Sequence, residues 1–594
     1  MKFVVCFFLS LFCLVSSAQE DPALAKNYYQ SGEFEKALVL YKKLQITSRS
    51  NPDYSLKLIE CHQQLNQFKS AQDHIESQVL QSRHPQFLVE LGYNYQLQNK
   101  LDQASLNYNQ ALLITEQQPQ YLYGVAKRFE AHSLLDQAIQ VYETGLLRSA
   151  NPNYYYQLAG LYAAKQNIEK MMECYLDYVH TNPPYMNQVM KLLADYISDD
   201  SSQPFNQLFK KVLLKKSQSA PDPLWNKWLS WLFVQQKELS RAFIQEKAVF
   251  RRNPESLQGL INLAALANEQ KSYKIALNIF EFITQNSTDD RTLILANCKF
   301  LELQLEISTD SKSYQNINDS YLKLLNRYQL GQESIKLQLS YAHFLMFYRE
   351  NPKSASRFLE TALKENLSPL NAARLKMKLA DVYITQNKFN KALVNYTQIQ
   401  LAVRNSPLAQ IASFKVAKTS YYIGDFDWAE TQLKVLKSST SQLTANDALE
   451  LQLLITDHKG SDSLNTALKL YAKADLVNVQ KKPNEALLIL DSILKTHKSD
   501  PIIDQVLLFQ ARIYESQKEY NKAALNYYQI INDHNEEILV DDAYFYLAEL
   551  YRIQLGNSEK AQLYYESIIF NHEDSIHFVE ARNQYRLLRG DLIN

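Results

Sequence analysis

Eleven histidines and five cysteines are the side chains of this 594-residue sequence best suited to metal or nucleophile chemistry, and their spacing supports neither. There is no His-Glu-x-x-His, no cysteine pair at zinc spacing, no glycine-rich phosphate loop and no Gly-x-Ser-x-Gly elbow. Cys61 and His62 are the one adjacent pair of candidate ligands. Successive residues of a helix point about 100° apart, so the two cannot share an ion. Asp289, Asp290, Asp541 and Asp542 precede helical patterns, where carboxylates favour the positive end of the helix dipole. No catalytic residue, metal ligand or cofactor site is assigned. Cys61, Cys174 and Cys298 are far apart and odd in number once the N-terminal Cys6 and Cys13 are set aside, which excludes a disulfide framework. Each lies in an apolar helical pattern and reads as a small buried hydrophobe.

The elements that must position these side chains are helices. Eleven glycines and sixteen prolines are roughly a quarter and half of average usage, too few for turn-rich β structure. A hydrophobic fraction of 46% with 39 tyrosines supplies material for burial, and Leu, Ala, Lys, Glu and Gln fill the rest. The stretch from Leu88 to Pro119 gives the unit. Leu88, Leu91 and Tyr95 share one face of a first helix, with Gly92 among them, and Ala104, Tyr108 and Ala111 share one face of a second. The small Gly92 and Ala104 let the two cross closely.

With the small residue near the start of the second helix as a ruler, anchors fall at Ala37, Ala71, Ala104, Ala138 and Met171, then at Ala242 and Ala276, Ala355, Ala392 and Ala429, and Ala486, Ala523 and Ala561. Aromatic or imidazole rings keep step at Tyr28, His62, Tyr95, Phe129 and Tyr162 on the first helices, and tyrosines at Tyr41, Tyr108, Tyr142 and Tyr175 on the second. The early spacing of about 34 residues is the tetratricopeptide (TPR) period, and residues 21–183 resemble TPR proteins directly. Two worn pairs, at 190–216 and 292–328, bring the expectation to an all-α solenoid, or superhelix, of about fifteen helix pairs. Trp225, Trp228 and Trp231 on one face read as packing. Ser308–Asn318 reads as a long exposed loop, and 446–456 as an inserted helix outside the ruler. The expected division is a signal peptide at 1–18, an N-terminal array at 19–183, a degenerate region at 184–328, and a C-terminal array with longer repeats at 329–594.

Residues 1–18 combine Lys2, the apolar run Phe3–Val15 and the small residues Ser16, Ser17 and Ala18, the pattern of a secretory signal cleaved before Gln19. The run is too short to span a bilayer comfortably, and the residues before Cys13 do not favour a lipid anchor. No other apolar run is long enough to cross a membrane. The 63 basic and 63 acidic residues cancel, which argues against a nucleic-acid partner. The densest basic cluster, Lys210, Lys211, Lys215 and Lys216, reads as a solvated helix face.

GDFDWA at 424–429, LKSSTSQLTANDA at 436–448, LYAKAD at 470–475 and ARNQYRLLRGD at 581–591 resemble the tail of exported TPR proteins from Bacteroidota-type bacteria. That resemblance implies export and implies no chemistry. TPR first helices line a concave surface, and the family's groove positions carry over to Lys26, Tyr29, Glu60, Gln63, Tyr93, Gln96, Lys127 and Glu130. Mixed charge with two tyrosines suits an extended peptide or a helix. The expected function is a non-catalytic scaffold for protein or peptide partners in the periplasm or envelope of a Gram-negative bacterium, with self-association through an end repeat as a variant. The alternative is an accessory or hydrolytic subunit acting on envelope glycans with carboxylates from the groove, but Glu60 and Glu130 lie two repeats apart, farther than the roughly 5–9.5 Å that general acid and base work needs.

Overall fold

The computed structural model describes residues 22–48, 51–149, 151–254, 257–436, 442–460, 464–535 and 537–591. The signal peptide expected at 1–18 lies outside them. The described residues form 32 α-helices and no strand. Thirty of the helices are consecutive pairs, so the expected count of about fifteen pairs holds. The other two are Gln442–His458, which contains the inserted helix expected at 446–456, and the last helix, Phe578–Arg589.

The chain divides into two compact units, Met1–Leu263 and Ala264–Asn594. In the first, the pairs are α1 (Pro22–Gln30) with α2 (Phe34–Thr47), α3 (Pro52–Gln64) with α4 (Phe68–Ser82), α5 (Gln86–Leu97) with α6 (Leu101–Gln117), α7 (Leu122–Ala131) with α8 (Leu135–Ser149), and α9 (Asn153–Ala164) with α10 (Ile168–Thr181). Then come α11 (Met186–Ala194) with α12 (Pro204–Ser219), and α13 (Pro223–Gln235) with α14 (Leu239–Arg252). From α1 to α10 consecutive helices pack on one another, and first helices also touch in succession, α3 on α5 and α5 on α7; α12 packs on α10 and α13. The second unit repeats the scheme from Tyr273–Asn286 to Phe578–Arg589.

Each of the thirteen anchors is the fourth residue of its second helix and is at most 3% exposed. Five residues before every anchor, the turn between the paired helices holds one residue in the left-handed region. Only three of these are glycines, Gly32, Gly424 and Gly556; the others include Asn66, Asn99, Gln166, Lys237 and Lys518. A glycine-poor chain therefore makes the same tight turn thirteen times, ten of them with a residue that bears a Cβ. The crossing of α5 and α6 is close, since a Cβ on Gly92 would sit 2.5 Å from Tyr108 Cε1 and 3.0 Å from the Ala104 carbonyl oxygen.

The stretch 308–318 is not a long loop. Ser311–Tyr328 is helical, and only Ser308, Thr309 and Asp310 lie between it and Asp290–Ile307. Asp310 caps it, accepting from the Ser313 amide at 2.8 Å, and Ile317, Tyr321 and Leu325 are buried four residues apart. The polar residues are the outer face of an amphipathic helix whose apolar stripe begins late. The tryptophans of α13 pack as expected: Trp225 and Trp228 are buried, and Phe209 meets the rings of Trp228 and Trp231 edge-on at 5.9 and 6.2 Å.

Candidate functional site

The candidate groove residues come from the first helices of unit 1, and several of them meet around a residue that the repeat pattern does not mark, Arg128. It stands on α7, 38 residues after Glu90 on α5, one repeat plus one helical turn. Glu60 on α3 is 30 residues before Glu90, one repeat less one turn. The side chains are thus staggered across three neighbouring helices, and a guanidinium is long enough to join them. Arg128 Nη2 donates to Glu60 Oε1 and its Nε to Glu90 Oε1, both at 2.6 Å. His132, which caps α7, lies with Nε2 2.9 Å from the same Glu90 oxygen. Gln63 Nε2 reaches toward the Glu90 carbonyl at 3.5 Å. Lys57 closes the outer edge, donating to Glu60 Oε2 at 2.5 Å.

Glu90 is fully buried, and its Oε2 has no hydrogen-bond partner. Burial pushes this carboxyl up, but the Arg128 charge, with His132, more than reverses that and holds it below the usual carboxylate value. Burial pulls the Arg128 guanidinium down, and Glu90 and Glu60 more than restore it. Two carboxylates face two full positive charges, Arg128 and Lys57, so the cluster is balanced.

Two tyrosines are set on this base. The Tyr93 ring lies flat on His132, centroids 3.7 Å apart and 16° between planes. Tyr29 has the Lys57 ammonium 4.2 Å over its ring, and burial, then the charge of Glu60, raises its phenol well above the ordinary value. Both rings are half-buried. Among the remaining candidates, Lys127 donates to Glu130 Oε2 at 2.7 Å and to Gln157 at 3.2 Å, and Glu130 also accepts from the buried Tyr142 at 2.6 Å. Gln96 accepts from Tyr108 at 2.9 Å, and Lys26 is exposed.

The eight candidates therefore fall into three kinds. Lys26, Tyr29, Tyr93, Gln96 and Lys127 present surface, whereas Glu60 and Gln63, 7% and 4% exposed, are packed inward because α3, α5 and α7 stand close enough for Arg128 to bridge them. Glu130 is half-buried and held from both sides. Glu90, Arg128 and His132 were missed by the groove mapping. Their signal is that Glu60 and Arg128 hold the same repeat position, 68 residues or two periods apart, while Glu90 between them falls one turn short of it.

Elsewhere, Cys61, Cys174 and Cys298 are buried, each thiol pushed up to about 12 by burial. His62 bonds Gln67 at 2.8 Å. Of the basic cluster, Lys215 is answered by Glu173 at 2.9 Å and Lys216 by Asp177 at 2.5 Å. No group of three or more candidate metal-binding side chains occurs among the described residues, and none of the described helices is long and apolar enough to cross a membrane.

No family model matches the sequence, and no curated protein matches it. Among solved structures, a chain of the Naa15/Naa10 assembly bound to HypK-THB is similar over 96% of each chain, at 12% identity and a TM-score of 0.27. A chain of the APC/C hetero-tetramer Cut9–Hcn1 is similar over 96% of this chain and 97% of that one, at 11% identity and a TM-score of 0.23. A tetratricopeptide repeat protein from Parabacteroides merdae covers 51% of this chain and 97% of its own, at 14% identity and a TM-score of 0.26. At such scores the fold rests on the helices themselves. Their pairing and thirteen buried anchors at one position make the fold an all-α array of repeated helix pairs at the spacing read from the sequence.

Proposed function

We propose that the chain is a non-catalytic scaffold exported to the envelope of a Gram-negative bacterium, and that the first-helix face of unit 1 holds a protein or peptide partner. The observation that carries the reading is the Tyr93 ring, half-exposed and laid flat on an imidazole 2.9 Å from a buried carboxylate that is itself tied to a guanidinium. An aromatic anchor fixed before the partner arrives loses little conformational freedom on binding, so more of its contact energy appears as affinity. Tyr29, Gln96, Lys127 and Lys26 extend the surface, while Glu60, Gln63 and Glu130 act beneath it. The glycan-hydrolase alternative gains nothing here, since Glu60 and Glu130, its two carboxylates, are each held by a cation.

Export rests on Lys2, the Phe3–Val15 run and Ser16–Ala18. Pull-downs from envelope extracts test the whole reading. Tyr93→Ala and Lys127→Ala should each weaken a captured partner while helical content by circular dichroism stays unchanged. No reproducible partner, or capture indifferent to both substitutions, overturns it. Fractionation of cells with an antibody to the chain should place it outside the cytoplasm.

A further inference from the structure

In unit 2 the regular succession of first helices is bent back on itself. The inserted helix Gln442–His458 stands between the pair Pro407–Ile423 with Phe426–Leu436 and the pair Thr466–Val479 with Pro483–Thr496, and Thr466–Val479 packs directly on Pro407–Ile423. Leu476 is buried in the same core as Ile294, Phe344, Ala380 and Val416 rather than with its own pair. Just past that helix, Gln480 Nε2 donates to Asn387 Oδ1 at 2.9 Å, in the turn after Pro369–Thr385. The next residue, Lys481, has its ammonium 5.8 Å from the centre of the Phe347 ring, at the end of Ile335–Phe347. Four first helices thus surround a cavity of about 320 Å³, at the lower end of the range for small-molecule sites. Phe347, Phe414, Tyr422 and Val479 provide apolar wall.

The charges around this cavity do not balance. Lys415 is paired with Asp381 at 2.6 Å, and Lys418 stands 3.6 Å from Asp475. Glu302, near His343, is answered by Lys299 at 2.8 Å. Lys378 makes no ion pair among the described residues: its Nζ donates to His343 Nδ1 at 3.0 Å and lies 5.6 Å from the Phe347 ring centre. His343 is exposed at one edge, yet loss of water around its ring and then the Lys378 charge hold its imidazole down to about 4, so it adds no negative charge to the cavity. Lys378 is partly exposed, and the charge acting on it from Asp381, a residue of the same cavity wall, is shared with Lys415. With Lys481 beside Phe347, four ammonium groups stand against the two carboxylates Asp381 and Asp475, so the cavity carries a positive excess.

We propose that this cavity binds a small organic anion, a compact aromatic body bearing one carboxylate or phosphate, whose oxygens are received by Lys378 while the ring lies among Phe347, Phe414 and Tyr422. The site is independent of the partner surface on unit 1. Benzoate, phenyl phosphate and the uncharged benzamide are the probes, titrated into the full chain and followed by ligand-observed NMR. Both anions should bind with dissociation constants in the millimolar range or tighter, and benzamide much more weakly. Lys378→Met should weaken the anions about 10- to 100-fold, the worth of a charge-assisted hydrogen bond, while Lys364→Met at an exposed site changes nothing. A readout without substitution is the His343 ring: neutralising the Lys378 charge must raise the imidazole pKa from its low value when either anion is present. Equal binding of benzamide, no binding of either anion, full affinity in Lys378→Met, or an unmoved His343 titration would overturn the proposal.

Discussion

Arg128→Met is the sharpest perturbation of the unit 1 cluster, because methionine keeps much of the aliphatic stem and removes only the charge and its donors. It leaves Glu90, which has no exposed surface, with His132 as its one remaining side-chain partner, and deprives Glu60 of a 2.6 Å bond. Removing one partner from a buried ion pair costs about 3–5 kcal/mol, since a charge is left in the interior without its counter-ion. In a repeat array this loss opens the neighbouring helices locally rather than the whole chain. Hydrogen exchange followed by mass spectrometry should then lose protection about 100- to 5,000-fold in α3, α5 and α7.

The pH dependence gives the test its direction. In the native chain Glu90 is held below its ordinary value, so its contribution is present above about pH 4.5 and is lost as pH falls through the lowered value. Without Arg128, burial dominates and the folded-state value rises above the unfolded one. The carboxyl then takes up a proton readily, and the penalty grows as pH rises past 4.5. The cost of the substitution should therefore be lower at pH 4 than at pH 8, and Glu90→Gln added to it should recover most of the loss at pH 8. A cost equal at both pH values, or under about 1 kcal/mol throughout, would refute the reasoning that a buried charge is being orphaned.

Gly92→Ala forces a methyl against Tyr108, whose hydroxyl is held by Gln96 at 2.9 Å, and should cost about 1–3 kcal/mol in urea unfolding of the affected repeats. At the left-handed turn position, Gln166→Gly should gain about 1 kcal/mol and Gly424→Ala should lose about as much, read as shifts in local exchange stability. Asp310→Ala removes the cap of Ser311–Tyr328 and should cost about 1 kcal/mol, with faster amide exchange in the first turn of that helix. Native alkylation at pH 8 should leave Cys61, Cys174 and Cys298 unmodified, because burial has raised all three thiols to about 12.

The anchors were legible because they answer to one local constraint. A crossing of two helices tolerates only a small or pliable side chain, and twelve alanines and Met171 meet that need at one position, whatever surrounds them. The turn residue five places earlier answers to an equally strict backbone constraint, yet it was invisible. Asparagine, glutamine and lysine do in most repeats what glycine does at Gly32, Gly424 and Gly556, so composition hides the geometry. Ser308–Asn318 failed for a related reason, a polar outer face standing alone before its apolar stripe begins at Ile317. The cluster and the cavity were hidden differently. Arg128 meets Glu60 and Glu90 only because a long side chain spans helices staggered by a turn, and Gln480 meets Asn387 only because an inserted helix turns the next pair back. Period-based reading registers what each repeat shares with the next. These two features exist where neighbouring repeats differ, so in an array of this kind the candidate sites lie in the departures from the period that reveals the fold.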